Sequence, residues 1–144
     1  MRKILTILAV LLAVACGSTA VATVDRINVT EPPYNAIPND GIDDTAAINL
    51  AVAAGTSIYF PPGSYNYNGR LTLPATKSYR VYGDGHGVST ILFSGTNPGI
   101  YYSASVSTAS LNVEGLTLEA ISTTPGTAIS ATFNPGFASL GSTL

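Results

Sequence analysis

Beyond residue 56 the chain alternates short runs of branched and aromatic residues with clusters of Gly, Pro, Asn and Asp. The runs are "SIYF" (57–60), "RLTL" (70–73), "YRVYG" (79–83), "TILFS" (90–94), "GIYYS" (99–103), "LNVEGLTLEA" (111–120) and "AISATF" (128–133). Each has the β-branched and aromatic content of a strand. The intervening "PPGS", "YNG", "GDGHG", "GTNPG" and "TTPG" are turn compositions, because Gly and Asn accept positive φ while Pro fixes φ. Alternation within "LTL", "RVY" and "LTLEA" assigns Leu71, Leu73, Val81, Leu116 and Leu118 to an inward face. Only "DTAAINLAVAAG" (44–55) has the length and alanine content of a helix.

The pattern therefore predicts an all-β protein with one helix. A doubly wound sheet needs crossover helices, and none is predicted between these strands. Coils that stack on one another, none able to bury its apolar face alone, satisfy the same pattern as a solenoid. The steps from Ile58 to Val81 (23 positions) and from Val81 to Val113 (32 positions) predict coils with loops of unequal length. On periodicity alone a β-sandwich is the alternative.

Ahead of the helix, "NDGIDD" places Asp40, Asp43 and Asp44 within five positions, in a chain only 10% charged. Asp43 or Asp44 is placed to cap the helix, its carboxylate accepting from free N–H groups of the first turn. Asp40 followed by Gly41 fits a turn, and Gly55 fits a stop. A calcium loop would need alternating ligands and a distant bidentate Glu, which "NDGIDD" lacks. Capping is thus favoured over metal binding. Ala47, Ile48, Leu50, Ala51, Val52 and Ala54 leave the helix little polar surface, predicting cover on more than one side.

The N-terminal segment carries a different signal. Arg2 and Lys3 precede the apolar run 4–15, and small residues follow, as in a secretory signal peptide. The run is short of the roughly 20 apolar residues that span a bilayer. Cleavage after "AVA" (20–22) would make residues 1–22 the signal peptide and 23–144 the mature domain. "LAVAC" also has the form of a lipobox, which would lipidate Cys16 and hold the chain on a membrane. The expected setting is extracellular or periplasmic, or the bacterial surface if Cys16 is lipidated. As the only cysteine, Cys16 excludes an intramolecular disulfide. Removing Arg2 and Lys3 leaves four basic residues of the six against eight acidic ones. That balance excludes an electrostatic case for nucleic acid.

Three stretches in order, "YNAIPNDGIDDTAAINLAV", "SIYFPPGSYNYNGRLTLP" and "YRVYGDGHGVSTILF", resemble the N-terminal part of the pectate-lyase-like superfamily. That group includes rhamnogalacturonase and epimerase-like domains, polygalacturonases and phage tailspikes. The resemblance covers roughly residues 27–95, and "LNVEGLTLEA" continues it as another coil. It implies a right-handed, single-stranded parallel β-helix whose first coil is capped by the DDTAAI helix. Asn35 stands where the family usually has Gly; Asn also tolerates the left-handed conformation. Also implied are a polysaccharide partner and, by resemblance alone, calcium; the residues themselves point to no cofactor or metal.

Such lyases abstract a proton beside a uronate carboxylate, and the related hydrolases use several carboxylates as acid and base. After the helix this chain offers Asp84, Glu114 and Glu119, without the polygalacturonase "NTD" and "DD" motifs. "GDGHG" (83–87) joins Asp84 to His86, the only histidine, yet directly after "YRVY" it reads foremost as a glycine-rich turn. Lys77 and Arg80 could meet a uronate, though isolated basic residues at strands are commonly solvated or paired with an acid. Tyr59, Tyr65, Tyr67, Tyr79, Tyr82, Tyr101 and Tyr102 are expected to divide between core and surface, where an exposed ring could stack on a sugar. "NVT" at Asn28–Thr30 matches a glycosylation acceptor and is read as chance in a bacterial protein. No catalytic or substrate-binding residue is assigned.

The tail "NPGFASLGSTL" carries neither a helix nor a charged cover, predicting that further coils or an oligomeric partner complete the C-terminal end. The expected function is that of a polysaccharide-processing protein of the pectate lyase or rhamnogalacturonase type. This chain would supply the cap and first coils and be inactive alone. The alternative is a noncatalytic β-helix, an adhesin or tailspike-like binding or structural module.

Overall fold

A computed structural model describes residues 26–106, 108–121 and 126–132. The expected signal peptide, Cys16 and the tail from residue 134 lie outside the described residues. The described chain is mostly β, with a single short helix: β1 (Arg26–Asn28), α1 (Thr45–Ala54), β2 (Ser57–Phe60), β3 (Gly63–Leu73), β4 (Tyr79–Gly83), β5 (Ser89–Ser103), β6 (Leu111–Glu114), β7 (Thr117–Ala120) and β8 (Ile129–Thr132). All ladders between these strands are parallel. One sheet runs β1-β2-β4-β6; the other runs β3-β5-β7, with β8 also on β5. The chain passes from the first sheet to the second and back, giving a β-solenoid of about four turns.

The inward residues stack coil on coil. Ile27, Ile58, Val81 and Val113 form one column in register, so the uneven sequence steps converge on the same position of successive coils. Tyr65, Ile91 and Leu118 form a second column, and Leu71, Ile100 and Ile129 a third. Leu71, Leu73 and Val81 are buried as expected, while Leu116 and Leu118 are partly buried against the same core. The strands "SIYF" and "YRVYG" fall on β2 and β4 with the expected bounds.

β3 and β5 are longer than their sequence runs. "PPGS" and "YNG" were expected to be turns, but Gly63–Gly69 belongs to β3. Tyr65 and Tyr67 fill the interior there, and their burial outweighs the turn tendency of the intervening Ser and Asn. "GTNPG" lies within β5 as an irregularity: Ser94 pairs with Asn68 and Gly99 with Arg70, leaving the residues between them outside the ladder. Positive φ at Gly95, Asn97 and Gly99 accommodates that excursion. The β1 strand "RIN" is an addition to the elements expected from sequence.

The helix departs from expectation in two ways. Ile48, Ala51 and Val52 are buried, but Leu50 is 47% exposed. One face, spaced i, i+3, i+4, is therefore covered, instead of several. Asp44 occupies the N-cap position, yet its side chain makes no bond to the helix N–H groups. Its Oδ1 accepts from the Ile37 N–H (2.9 Å) and its Oδ2 from the Asn66 N–H (3.1 Å). Asp43 Oδ1 accepts instead from the N–H of Thr45, the first helical residue (2.9 Å). Asp40 does form the expected turn, accepting from the Ile42 N–H (2.8 Å). Gly55 follows the last helical residue as predicted, but in an extended conformation.

The destination of the Asp44 bonds explains the cluster. β3 is the edge strand of its sheet. Along that edge the N–H groups of Ser64, Asn66 and Asn68 donate to Asn39 Oδ1 (2.9 Å), Asp44 Oδ2 (3.1 Å) and Thr45 Oγ1 (2.7 Å). In return the Ser64 and Asn66 carbonyls accept from the N–H groups of Asn39 (2.9 Å) and Asp44 (2.8 Å). Residues 39–45 thus supply, largely through side chains, the bonds a neighbouring strand would have made along Ser64–Asn68. Asn39 adopts φ 65° to do so, and Asn35 is left-handed as expected (φ 59°).

Candidate functional site

The outward face of β1-β2-β4-β6 gathers the polar and aromatic side chains of this sheet. Because strand side chains alternate, the residues flanking the Ile27, Ile58, Val81 and Val113 column point away from the core. One outward column is Asn28, Tyr59, Tyr82 and Glu114; the other is Arg26, Ser57, Arg80 and Asn112. Tyr59 and Tyr82, on adjacent strands, have ring centroids 5.2 Å apart. The Arg26 guanidinium lies 3.6 Å from the Tyr59 ring centroid, and that of Arg80 lies 4.1 Å from the Tyr82 centroid. Both are within cation–π range.

The acids of this face are engaged. Tyr59 donates its hydroxyl to Asp84 Oδ2 at 2.6 Å. That bond, followed by burial and the Asp84 charge, raises the Tyr59 pKa, while Arg26 acts in the opposite sense. Arg80 donates Nε–H to Glu114 Oε1 at 2.6 Å and forms an ion pair with it. Both partners of that pair are about half exposed, so it orients side chains more than it stabilises the fold. The result is a row running from Arg26 through Tyr59 and Tyr82 to Arg80 and Glu114, with Asp84 bonded at its side. Such a row offers guanidinium groups for a carboxylate and ring surface for the apolar face of a sugar.

The remaining candidates lie apart from the row. His86 is exposed in the turn after β4, and neither a hydrogen bond nor an ion pair joins it to Asp84. That turn is built by glycine: Gly85 and Gly87 have φ 145° and 74°, and the Gly85 N–H donates to the Gly115 carbonyl of the next coil (3.0 Å). The Gly87 N–H donates to Thr117 Oγ1 (2.8 Å). "GDGHG" is therefore structural along its backbone, with Asp84 alone turned into the row. Lys77 is exposed, and its carbonyl accepts from the Tyr102 hydroxyl (2.9 Å). Glu119 sits on β7, in the other sheet. Among the described residues no group of three His, Cys, Asp or Glu side chains is placed to hold a metal ion.

Set against known proteins, the chain matches no family model, no curated protein and no solved structure. The chemistry of this face thus rests on its own residues.

The tyrosines divide as expected. Tyr65, Tyr67, Tyr79 and Tyr102 are buried in the core, and burial raises the pKa of each. Their hydroxyls reach the Pro61 carbonyl, Asn49 Oδ1 and the Lys77 carbonyl from Tyr65, Tyr67 and Tyr102 respectively. Tyr59, Tyr82 and Tyr101 lie on outward positions, Tyr59 only 9% exposed because Arg26 and Tyr82 cover it. Asn28 bonds locally, its Oδ1 accepting from the Thr30 N–H and hydroxyl and its Nδ2 donating to Glu31.

Sequence reasoning passed over Arg26 and Arg70. Arg26 precedes Ile27, and Arg70 precedes Leu71; each is the outward neighbour of an inward residue. Both lie over tyrosines that only the coil register brings near, Arg26 over Tyr59 and Arg70 over Tyr101. The local signal was the alternation itself, which marks Arg70 in "RLTL" as outward.

Proposed function

We propose that this chain is the polymer-holding part of a secreted, polysaccharide-processing β-helix of the pectate lyase and rhamnogalacturonase-like type. Its outward β1-β2-β4-β6 face would lie along an acidic polysaccharide. The observation that carries this reading is the row of two guanidinium groups and two tyrosine rings across successive coils. Parallel strands spaced by about 4.8 Å repeat such contacts along the solenoid axis, which suits an extended polymer better than a compact ligand. The right hand of the coil is part of the proposal, supported by the near-universal right-handedness of parallel crossovers. So is the covering of the first coil by α1, supported by the burial of Ile48, Ala51 and Val52. The basic and apolar pattern of residues 2–15 supports export, with Cys16 as the alternative anchor.

A noncatalytic adhesin or tailspike-like module is the second reading. It is favoured by the engagement of Asp84 with Tyr59 and of Glu114 with Arg80, which occupies the carboxylates that acid–base cleavage would use. One experiment separates the two. The full chain is run in affinity gels containing polygalacturonate, alginate or neutral starch, and release of unsaturated uronides is followed in parallel, with and without a calcium chelator. Retardation by the acidic polymers without product is the expected result. Product release would restore a catalytic role to this chain, and equal mobility in all three gels would overturn polysaccharide binding.

A further inference from the structure

A cavity lies on the other sheet, away from the Tyr59 row. Arg70 on β3 places its guanidinium 4.2 Å from the ring centroid of Tyr101 on β5. It borders a cavity of about 270 Å³ lined by Arg70, Asn97, Pro98, Ile100, Thr127 and Ser130, with Gly126. Among the described residues the one ion pair is Arg80 with Glu114, so none of the described carboxylates pairs with Arg70. Its place at the cavity is not incidental. Asn97 is brought there by the four-residue excursion of β5 that follows Ser94, where Asn97 itself has φ 52°.

The opposite wall is equally specific. A Cβ on Gly99 would collide with the Thr127 carbonyl oxygen, and one on Gly126 with the Pro98 ring. Glycine at both positions lets 126–128 approach 98–99 closely, and the Ile100 N–H donates to the Ala128 carbonyl (2.9 Å). Ser130, in register with Tyr101, then faces the same cavity.

We propose that this cavity binds a small hydroxylated carboxylate, with Arg70 as the carboxylate-binding residue. A guanidinium held over a ring keeps its edge N–H groups available for a planar, bidentate partner, and a carboxylate has that shape. Asn97, Thr127 and Ser130 bring neutral donors and acceptors suited to hydroxyl groups. The volume sits just under the roughly 300–1,000 Å³ of typical small-molecule sites, which limits the occupant to one sugar-acid unit or smaller. The site is independent of the polymer face: it lies on different strands and would stand if the Tyr59 row bound nothing.

The test is calorimetric titration of the full chain with galacturonate, galactose and inorganic phosphate. Galacturonate is expected to bind and the other two to bind at least tenfold more weakly. Arg70→Ala should weaken galacturonate at least tenfold, with Arg70→Lys intermediate, Ser130→Ala weakened severalfold and Lys77→Ala, an exposed cation outside both faces, unchanged. Circular dichroism of each variant establishes that it is folded; should Arg70→Ala fail to fold, Arg70→Lys and Ser130→Ala carry the test. Undiminished galacturonate binding by the folded Arg70 variants would overturn the assignment. Equal binding of galactose or of phosphate would overturn it too, since the first needs no carboxylate and the second no hydroxylated ligand.

Discussion

Asp44 and Asn66 bond to each other twice: the Asp44 N–H donates to the Asn66 carbonyl at 2.8 Å, and the Asn66 N–H donates to Asp44 Oδ2 at 3.1 Å. The second bond replaces a backbone carbonyl with a carboxylate oxygen. By this means a segment that is not a regular strand completes the edge of β3.

Truncating that carboxylate is therefore predicted to destabilise the fold strongly. Asp44→Ala strands the part-buried N–H groups of Ile37 and Asn66, each toward the lower end of the about 1–3 kcal/mol that an unsatisfied buried donor costs. A loss of about 3 kcal/mol in urea unfolding is expected, with Asp44→Asn losing less because one acceptor oxygen remains. Equal losses in the two variants would show that neither bond matters individually.

The same carboxylate has a pH signature. Burial raises the Asp44 pKa above its ordinary 3.8, against the lowering effect of the two backbone donors, and Asp40 and Asp43 push in the same direction as burial. The folded state thus holds the proton more tightly than the unfolded chain. Its contribution is fully present below pH 3.8 and is lost as pH rises through the higher folded value. The stability difference between the native chain and Asp44→Asn should accordingly favour the native chain more at about pH 3 than at about pH 7. Comparing the two chains cancels the titration of the other acids. A difference that grows toward neutral pH would reverse the assigned sign.

At the alkaline end the core tyrosines take over. Burial raises the pKa of Tyr65, Tyr67, Tyr79 and Tyr102 above 10.0. Their contribution is complete below pH 10, where they are protonated in both states, and is lost as pH rises through the folded values. Phenolate absorbance should show one early group of tyrosines and one late group that appears together with the loss of the β circular dichroism signal. Complete ionisation with the β signal intact would contradict the burial of these four.

On the outward face the charges make opposite predictions. Glu114→Gln removes the acid that occupies Arg80, so affinity for an acidic polymer should rise severalfold, while Arg80→Ala should lower it by about tenfold, near 1.4 kcal/mol. Both effects should shrink with added salt, because the pair is half exposed. Affinity gels at two ionic strengths measure them, and a fall in affinity on Glu114→Gln would assign the acid a direct part in binding.

Much of this architecture was legible because inward residues announce themselves by alternation. Ile58, Val81 and Val113 were readable as equivalent positions before any coordinates, despite their unequal spacing. The duty of Asp44 was not. Its partners, Ile37 and Asn66, lie seven residues before it and 22 residues after it, and an Asp ahead of an apolar run satisfies the capping rule equally well. The Tyr59 row was half visible for a similar reason: its tyrosines stood out by type and Arg80 meets Tyr82 within β4 itself, but Arg26 reaches Tyr59 only through coil register. Local composition likewise misread Gly63–Gly69, since the demand for Tyr65 and Tyr67 inside the coil comes from Ile91 and Phe93 on the next one.

The turn after β4 separates two reasons for glycine. A Cβ on Gly83 would lie 2.5 Å from Ser89 Cβ and 2.7 Å from the Gly115 carbonyl oxygen, in a corner where Ser89 Oγ accepts from the Asp84 N–H and donates toward the Phe60 and Pro61 carbonyls. Gly87 has open space around it but φ 74°. Gly83→Ala must therefore push coils apart, at about 1–3 kcal/mol or more. Gly87→Ala meets only backbone strain of about 1–2 kcal/mol, which Gly87→Asn should partly relieve. Thermal unfolding is expected to rank the variants with Gly83→Ala lowest and Gly87→Asn closest to the native chain. If Gly87→Asn were no better than Gly87→Ala, strain at that residue would not be the cause, and the close contact of successive coils at Gly83 would remain the sole steric reason for glycine in this turn.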